Sequence, residues 1–254
     1  MLPGSRPSIP PLQRHRAPRS GFVPPARFAP RDLYSTLLQR RVVHLNVPIS
    51  APIVELLVAE LLWLQHESSS RPIQLYLDSP GSSYDGAPLG AELQGLAIYD
   101  ALRSLSCPVA TCAVGRAHGE AALLLAAGTP GRRSALPSAS IGLRRPKLRL
   151  RRAPAADLEA WRGELVRASA AGDRLLAGHC ALSEAEVRDL CVAETYLDAY
   201  EAQQRGIVDH VLDPREGREF RDVWESAAEH AGEDDDVPLE WKREVLVASG
   251  GASR

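Results

Sequence analysis

Three short segments combine residue types and spacings that could serve hydrolytic chemistry. Residues 78–81, with the sequence Asp-Ser-Pro-Gly, end an apolar run, and backbone N–H groups at the end of a strand can stabilise a developing negative charge. Residues 114–120 are predicted to form a turn before an apolar stretch that predicts a buried helix. A nucleophile there would benefit from exposed N–H groups and from the positive end of the helix dipole. With the third segment, 136–146, they have the layout of an enzyme active site.

One candidate pair of reactive side chains lies within the second segment. His118 and Glu120 stand in the order His-x-Glu and could in principle activate water or bind a metal ion. No third ligand is evident, and a histidine beside a turn is more often a hydrogen-bonded or surface residue. Cys107 and Cys112 do not have the CxxC spacing of a zinc or redox pair. The sequence therefore predicts no metal and no cofactor, and an active hydrolase that uses His118 and Glu120 stays an alternative.

Composition limits the class of protein. The 254 residues are 44% hydrophobic and 24% charged, which is enough to bury a core in one soluble globular domain with tails. The formal net charge of -2 does not favour a nucleic acid or an anionic membrane as partner. No apolar run reaches the roughly 18 residues of a membrane helix. The four cysteines lie inside apolar patterns, which indicates a reducing compartment.

The two ends of the chain differ in charge. Residues 1–31 are rich in Arg, Pro and Ser and contain no acid, which fits either an organelle transit peptide or a basic arm. Residues 214–254 are acidic. They are interpreted either as a partly helical extension whose Trp224 and Trp241 could dock on a neighbour, or as a disordered tail. The globular domain is expected at 32–213.

The elements that position the three segments alternate between short strands and helices, which is typical of an α/β domain. Strand patterns lie at 42–45, 73–77, 109–114, 133–136, 140–143 and 207–211. Helical patterns lie at 53–64, 93–105, 121–127, 158–175 and 184–190. The helix at 53–64 is apolar almost all round, and the helix at 158–175 has one apolar face. Both surfaces require more cover than one small domain easily provides.

Five sequence segments resemble the ClpP peptidase family in order and spacing. They are LYLDSPG at 75–81, GLAIYD at 95–100, VGRAHGEAALLLAAG at 114–128, ALP at 135–137 and RGIVDHV at 205–211. The resemblance runs from Phe28 to Leu212. It implies a ClpP/crotonase-like α/β fold, a β-β-α superhelical core with a projecting strand–helix handle at 145–178. It also implies seven-membered rings that stack in pairs through their handles.

The resemblance assigns the family's catalytic positions to residues that lack the required chemistry. In the matched register, Gly119 stands at the nucleophilic Ser and has no nucleophile. Arg144 stands at the His, and arginine stays protonated at physiological pH, so it cannot act as a general base. Glu194 stands at the Asp and keeps a carboxylate. A shift of the register restores no nucleophile, because no Ser lies between Ser106 and Ser134.

The oxyanion loop also departs from the family pattern. The resemblance places it at Gly81, Ser82 and Glu120, with Glu120 where the family has Met. After SPG the family usually has another Gly and reaches the next helix sooner, whereas this chain carries a longer link from Ser82 to Gln94. Such an insertion is similar to ClpR subunits, the inactive ClpP paralogues of plastids and cyanobacteria. The segment PARFAPRDL at 25–33 is likewise similar to plastid R-type chains.

The functional expectation follows from this resemblance. It implies a non-catalytic subunit of a hetero-oligomeric, ATP-dependent Clp protease core, which supports ring assembly and shapes the degradation chamber. The expected compartment is the plastid stroma or, alternatively, the cyanobacterial cytoplasm. The expected partners are catalytic ClpP and other ClpR subunits and, through the assembled core, a Clp-type ATP-driven chaperone. A crotonase-like acyl-CoA binder stays a second alternative, on fold analogy alone.

A basic run follows the third segment. Lys147, Arg149 and Arg151 alternate like a strand, in the region where ClpP lines its substrate channel. They are a candidate basic wall that biases peptide traffic or pairs with an acidic neighbour. A merely solvated face is the alternative interpretation.

Overall fold

The computed structural model describes residues 33–82, 91–145 and 154–213. The two tails, residues 83–90 of the longer link, and the basic residues Lys147, Arg149 and Arg151 lie outside these ranges. What the sequence predicts for them stays a prediction.

One seven-stranded, mostly parallel sheet forms the centre of the described part of the chain. Its strands are β1 (Val42–Leu45), β2 (Ile73–Ser79), β3 (Val109–His118), β4 (Arg133–Ala135), β5 (Ser140–Leu143), β6 (Thr195–Leu197) and β7 (His210–Val211). The order β1-β2-β3-β4-β7 is parallel throughout. β5 pairs in parallel with β3, and β6 pairs antiparallel with β5. The α/β fold predicted from the sequence is confirmed.

The sheet divides along β3. The first half of β3 pairs with β4 at residues 111–113, and its last residues, 116–118, pair with β5. Strand β2 pairs with β3 on its other side and reaches Ala117 through Ser79. Because the carboxyl ends of parallel strands meet at one edge of a sheet, the residues that follow β2, β3 and β5 lie close together.

Helices surround this sheet. They are α1 (Leu33–Gln39), α2 (Ala51–Glu67), α3 (Ala91–Ser104), α4 (Glu120–Ala126), α5 (Ala155–Ala177), α6 (Glu184–Val192) and α7 (Ala199–Gln204). Helix α2 has Pro52 in its first turn, where the fixed φ of proline suits a helix. Helices α6 and α7 each begin with a capping box, Ser183 with Glu186 and Asp198 with Glu201. None of the described helices is long and apolar enough to cross a bilayer.

Helix α4 lies in the core. Its residues 121–126 are all buried, and it contacts β3, α3 and α5. Alanine at three of these positions keeps the helix narrow enough for neighbours to pack closely on several sides. Burial on all sides holds the start of α4, and therefore Gly119 and Glu120, in a fixed position.

Strand β3 is longer than predicted. The sequence pattern ended the strand at Val114 and placed a turn at 114–120, which was wrong, because the strand continues to His118 and only Gly119 separates it from α4. Gly115 is not a turn residue. A Cβ at Gly115 would lie 2.7 Å from Oδ1 of Asp78, so this glycine instead makes room for a side chain of β2.

Other differences concern short elements. The last strand forms only at His210–Val211 rather than over 207–211, and α1, β6 and α7 were not predicted. Elements of so few residues give little periodicity to detect. The remaining predicted helices and strands are confirmed, with ends that differ by a few residues.

Candidate functional site

Gly119 forms the whole connection between β3 and α4. Its backbone has φ 58° and ψ −122°, a conformation that strains a residue with a Cβ and that glycine adopts freely. The Gly119 N–H donates a hydrogen bond of 2.8 Å to the carbonyl oxygen of Gly142, which ties the turn to β5. A sharp strand-to-helix turn is where hydrolases expose a nucleophile. At this turn the residue has no side chain to offer.

Arg144 follows β5 directly and lies against this turn. A Cβ on Gly119 would lie 3.5 Å from Arg144 Nε and 3.6 Å from its Cγ. The Nη2 group of Arg144 donates a hydrogen bond to the carbonyl oxygen of Pro80, which follows β2. Arg144 therefore bridges the ends of β5 and β2 beside Gly119, and its guanidinium can only donate hydrogen bonds there.

Glu194 precedes β6 and lies at the same edge of the sheet. The antiparallel pairing of β5 with β6 places Leu143 opposite Thr195, so Arg144 and Glu194 are the next residues beyond this pair. Glu194 is half-buried and has φ 52°. The fold thus brings Gly119, Arg144 and Glu194 to one region.

The segment 79–82 is held by groups of the chain itself. Ser79 Oγ donates a hydrogen bond of 2.7 Å to the carbonyl oxygen of Val47 and accepts one of 3.2 Å from the Gly81 N–H. The Gly81 carbonyl oxygen accepts from the Ile49 N–H at 2.9 Å. Gly81 has φ 85°, which allows this close turn. These bonds fix the loop after β2 to residues 47–49.

Glu120 closes the other side of this loop. Its Oε2 atom accepts a hydrogen bond of 3.1 Å from the N–H of Ser82, which is buried. The side chain passes Gly95 of α3, where a Cβ would lie 2.5 Å from both Cβ and Cγ of Glu120. The absence of a side chain at Gly95 therefore creates the space for Glu120. The three residues predicted to form the oxyanion loop, Gly81, Ser82 and Glu120, lie together.

His118 is directed toward β5 and β6. Its Nε2 atom lies 3.2 Å from Oγ of Ser140, and its ring meets the ring of Tyr196 edge-on with centroids 5.1 Å apart. Burial lowers the pKa of His118, the positive charges of Arg144 and Arg116 lower it further, and Asp78 opposes them. These contacts favour a neutral imidazole at neutral pH.

The geometry offers no ligand set for the alternative hydrolase. The side chain of His118 contacts β5 and β6, whereas that of Glu120 contacts the loop after β2. Within residues 33–82, 91–145 and 154–213, no group of three or more His, Cys, Asp and Glu side chains is arranged to hold a metal ion.

Comparison with known proteins decides the family. Residues 28–215 match the model of the Clp protease family. This chain belongs to the Clp protease family. The parallel sheet with its buried helix α4 is accordingly the ClpP fold.

Similar Clp proteins come from bacteria and from chloroplasts. An ATP-dependent Clp protease proteolytic subunit-like protein of Streptomyces coelicolor is 37% identical over 81% of this chain and 94% of its own length. The chloroplastic proteolytic subunit-related protein 4 of Arabidopsis thaliana is 37% identical over 76% of this chain and 63% of its own length. Clp protease proteolytic subunit 2 of Gloeobacter violaceus is 36% identical over 74% and 83%.

In this Clp-family chain, a cavity of about 60 Å³ adjoins the turn at Gly119. Its lining includes Arg145, whose Nη2 atom lies 2.8 Å from Oδ2 of Asp173 on α5. Asp173 is only 4% exposed. Burial and the nearby charge of Asp173 raise the pKa of the Cys191 thiol, which also lines the cavity, to about 12. This thiol is therefore protonated and unreactive at neutral pH.

The pairing of Arg145 with Asp173 was not predicted from the sequence. The sequence signal is the spacing, because Asp173 stands three residues before Leu176 within a helical pattern. The structure then shows Ser169, Asp173 and Leu176 buried on α5. An acid on the buried face of a helix indicates a partner.

Proposed function

We propose that this chain is a non-catalytic structural and regulatory subunit of a hetero-oligomeric, ATP-dependent Clp protease core, where it supports ring assembly and shapes the degradation chamber. The observation that carries the proposal is the turn between β3 and α4. Its backbone has the geometry of a nucleophile turn, but the residue is Gly119, and Arg144 lies against it.

The neighbouring residues support the loss of catalysis. Covalent hydrolysis requires a nucleophile and a base within hydrogen-bond distance of it. Arg144 cannot accept a proton, and Glu194 keeps a carboxylate but has no histidine to orient. His118, the nearest imidazole in sequence, is directed to Ser140 and Tyr196. We therefore interpret Gly119, Arg144 and Glu194 as a degenerate triad.

Exposed apolar side chains support a role in assembly. Leu56, Leu62 and Trp63 of α2 are 49%, 50% and 45% exposed, and Leu158 and Val166 of α5 are exposed as well. Leu56 and Trp63 are seven residues apart and so share one face of α2, and large apolar residues grouped on a surface indicate a protein interface. The proposed neighbours are catalytic ClpP and other ClpR subunits in stacked seven-membered rings, with an ATP-driven Clp chaperone acting through the assembled core.

The similar proteins bear on the type of subunit and on its compartment. Two Arabidopsis relatives, named proteolytic subunit-related proteins 4 and 3, are chloroplastic, and the Gloeobacter relative is cyanobacterial. They are consistent with a ClpR-type subunit in the plastid stroma or in a cyanobacterial cytoplasm. The similarity to the Streptomyces protein adds the cytoplasm of another bacterium to these compartments.

The basic residues Lys147, Arg149 and Arg151 are proposed to form a wall of the channel. Replacing all three with Gln should alter assembly or substrate preference of the mixed core, because the wall would lose its attraction for acidic groups. Unchanged assembly together with unchanged substrate preference would contradict this role.

The experiment that tests the proposed function compares the chain alone with the chain in a core. Purified alone, it should cleave neither casein nor a fluorogenic peptide, and it should bind no acyl-CoA thioester. Coexpressed with a catalytic ClpP subunit of the same organism, it should appear in mixed rings by native mass spectrometry. Cleavage by the chain alone, or rings that never contain it, would overturn the proposal.

A further inference from the structure

Backbone groups of the loop after β2 already have hydrogen-bond partners within the chain. The Gly81 N–H is bonded to Ser79 Oγ, and the Ser82 N–H is bonded to Glu120 Oε2. The carbonyl oxygens have partners too, since Pro80 accepts from Arg144 and Gly81 accepts from Ile49. An incoming carbonyl oxygen therefore finds both N–H donors of Gly81 and Ser82 occupied.

Glu120 is held in this position by the shape of its surroundings. A Cβ at Gly95 would lie 2.5 Å from Cβ and Cγ of Glu120, so the stem of the side chain passes directly over the glycine. Ser82 is 5% exposed, so its N–H requires a partner within the protein. The packing of the Glu120 side chain over Gly95, in a space that we call the slot, therefore holds the carboxylate against the buried Ser82 N–H.

Arg144 contacts the same loop through the carbonyl oxygen of Pro80. A Cβ at Gly81 would lie 3.1 Å from Glu120 Oε2 and 3.4 Å from Arg144 Nη2. The carboxylate and the guanidinium thus flank the same point of the loop, one bonded to a backbone donor and the other to a backbone acceptor.

We propose that Glu120 is a resident occupant of a carboxylate-binding site at the Ser82 N–H, and that with Arg144 it closes the cleft between the turn at Gly119 and the loop at 79–82 to the carbonyl group of a peptide. The carboxylate oxygen takes the place that a negatively charged substrate oxygen would take in an oxyanion hole. The Gly81 and Ser82 N–H groups are accordingly occupied by side chains of the chain itself, and residue 119 offers no nucleophile. This inference deepens the proposed function and rests on it only where the cleft is interpreted as an inactive substrate site.

Removal of the side chain should expose the site to a free carboxylate. In the Glu120→Ala variant the buried Ser82 N–H loses its partner, so the melting temperature should fall. Sodium acetate should raise that temperature again, in a saturable manner, relative to sodium chloride at equal ionic strength. The wild type and Glu120→Gln, whose side chains still fill the slot, should show no saturable rise of the melting temperature in acetate relative to chloride.

Glu201→Ala is the matched control. Glu201 Oε2 accepts a hydrogen bond from the Asp198 N–H at 3.1 Å, the same length as the bond to Ser82, but at an exposed helix start. Its removal leaves a donor that water can reach, so acetate should not stabilise this variant. An equal gain for Glu201→Ala and Glu120→Ala, or no gain for Glu120→Ala, would overturn the proposal.

A second measurement decides the matter even where Glu120→Ala does not fold. The Ser82 amide proton should resonate further downfield in the NMR spectrum of the wild type than in that of Glu120→Gln, because a hydrogen bond to a carboxylate is stronger than one to a neutral amide. Equal Ser82 amide shifts in the two proteins contradict the proposal. Because both readouts use the chain without partners, they are independent of ring assembly.

Discussion

Arg144 and Gly119 share one small space, since Nε of Arg144 lies 3.5 Å from the point that a Cβ of residue 119 would occupy. This is an ordinary van der Waals distance, so the pair is compatible with a small side chain at residue 119. The backbone at residue 119, with φ 58°, has the conformation of a nucleophile turn, but glycine provides no nucleophile. A serine at residue 119 could therefore fit beside Arg144 and still be unable to react.

Gly119→Ser should fold and remain inactive. The backbone at φ 58° and ψ −122° should cost about 1–3 kcal/mol of unfolding free energy, because the added Cβ strains it. The hydroxyl should not become a nucleophile, since Arg144 cannot take its proton. Urea unfolding and a fluorogenic peptide assay measure the two effects.

Gly131→Ser is the matched control for strain. Gly131 has φ 82° and no atom within 4 Å of an added Cβ, so it tests the backbone conformation far from Arg144. Both variants should lose similar stability, and neither should hydrolyse peptide. Hydrolysis by Gly119→Ser would show that another group in the cleft serves as base.

The contacts that close the cleft could not be predicted from the sequence. The register of the motifs assigned Gly119, Arg144 and Glu120 to their places, but the bonds from Arg144 to Pro80 and from Ser82 to Glu120 join residues 64 and 38 positions apart. They depend on how β2, β3 and β5 end at one edge of the sheet. Periodicity carries no information on such distances.

Two glycines near the site show a related limit. Gly115 and Gly119 both resemble the end of a strand in sequence, but only Gly119 has a positive φ. Gly115 lies within β3 and is small because Asp78 packs 2.7 Å from the position of its missing Cβ. The sequence shows a glycine at both positions, but only the structure shows whether backbone conformation or space requires it.

Asp209→Ala should destabilise the protein by about 3 kcal/mol, because it leaves a nearly buried cation without its partner. Arg133 donates to Asp209 Oδ1 at 2.6 Å and to Oδ2 at 3.0 Å, and its side chain is only 10% exposed. Urea unfolding at fixed protein concentration measures the loss. Asp100→Ala, at an exposed position of α3, should change stability by about 0.5 kcal/mol or less, and equal losses would contradict the role of the ion pair.

Stability should fall as the pH decreases below about 6.5, where unfolded histidines bind protons. Burial, Arg144 and Arg116 lower the pKa of His118 in the folded state. The unfolded state therefore binds more protons in the window between the ordinary pKa and the lowered one, and unfolding becomes easier. His118→Gln should make this slope shallower, as measured by urea unfolding from neutral to mildly acidic pH. Part of the slope should remain, from His179, whose pKa is lowered by burial and by Arg103 and Arg133, and from the carboxyl groups of Asp78, Glu186 and Asp209, whose pKa values are also lowered. An unchanged slope would exclude the contribution of His118.

Arg41 joins the end of α2 to the start of β2 through backbone carbonyls. Its side chain is 2% exposed and donates to the carbonyl oxygens of Leu64 at 2.7 Å, Ser68 at 3.1 Å, Arg71 at 3.0 Å and Pro72 at 3.1 Å. Three separate nitrogens provide these bonds. A planar guanidinium can reach acceptors spread in this way, whereas the ammonium of lysine concentrates its donors at one atom.

Arg41→Lys should therefore lower the unfolding free energy by about 2 kcal/mol although the charge is conserved, because at least one buried carbonyl loses its donor. Arg40→Lys changes the neighbouring, exposed residue and should change stability by about 0.5 kcal/mol or less. Urea unfolding of both variants makes the comparison. If the two substitutions have equal effects, charge alone matters at Arg41 and the shape of the guanidinium does not. The predicted difference requires that the loop between α2 and β2 depends on the directions of the Arg41 donors.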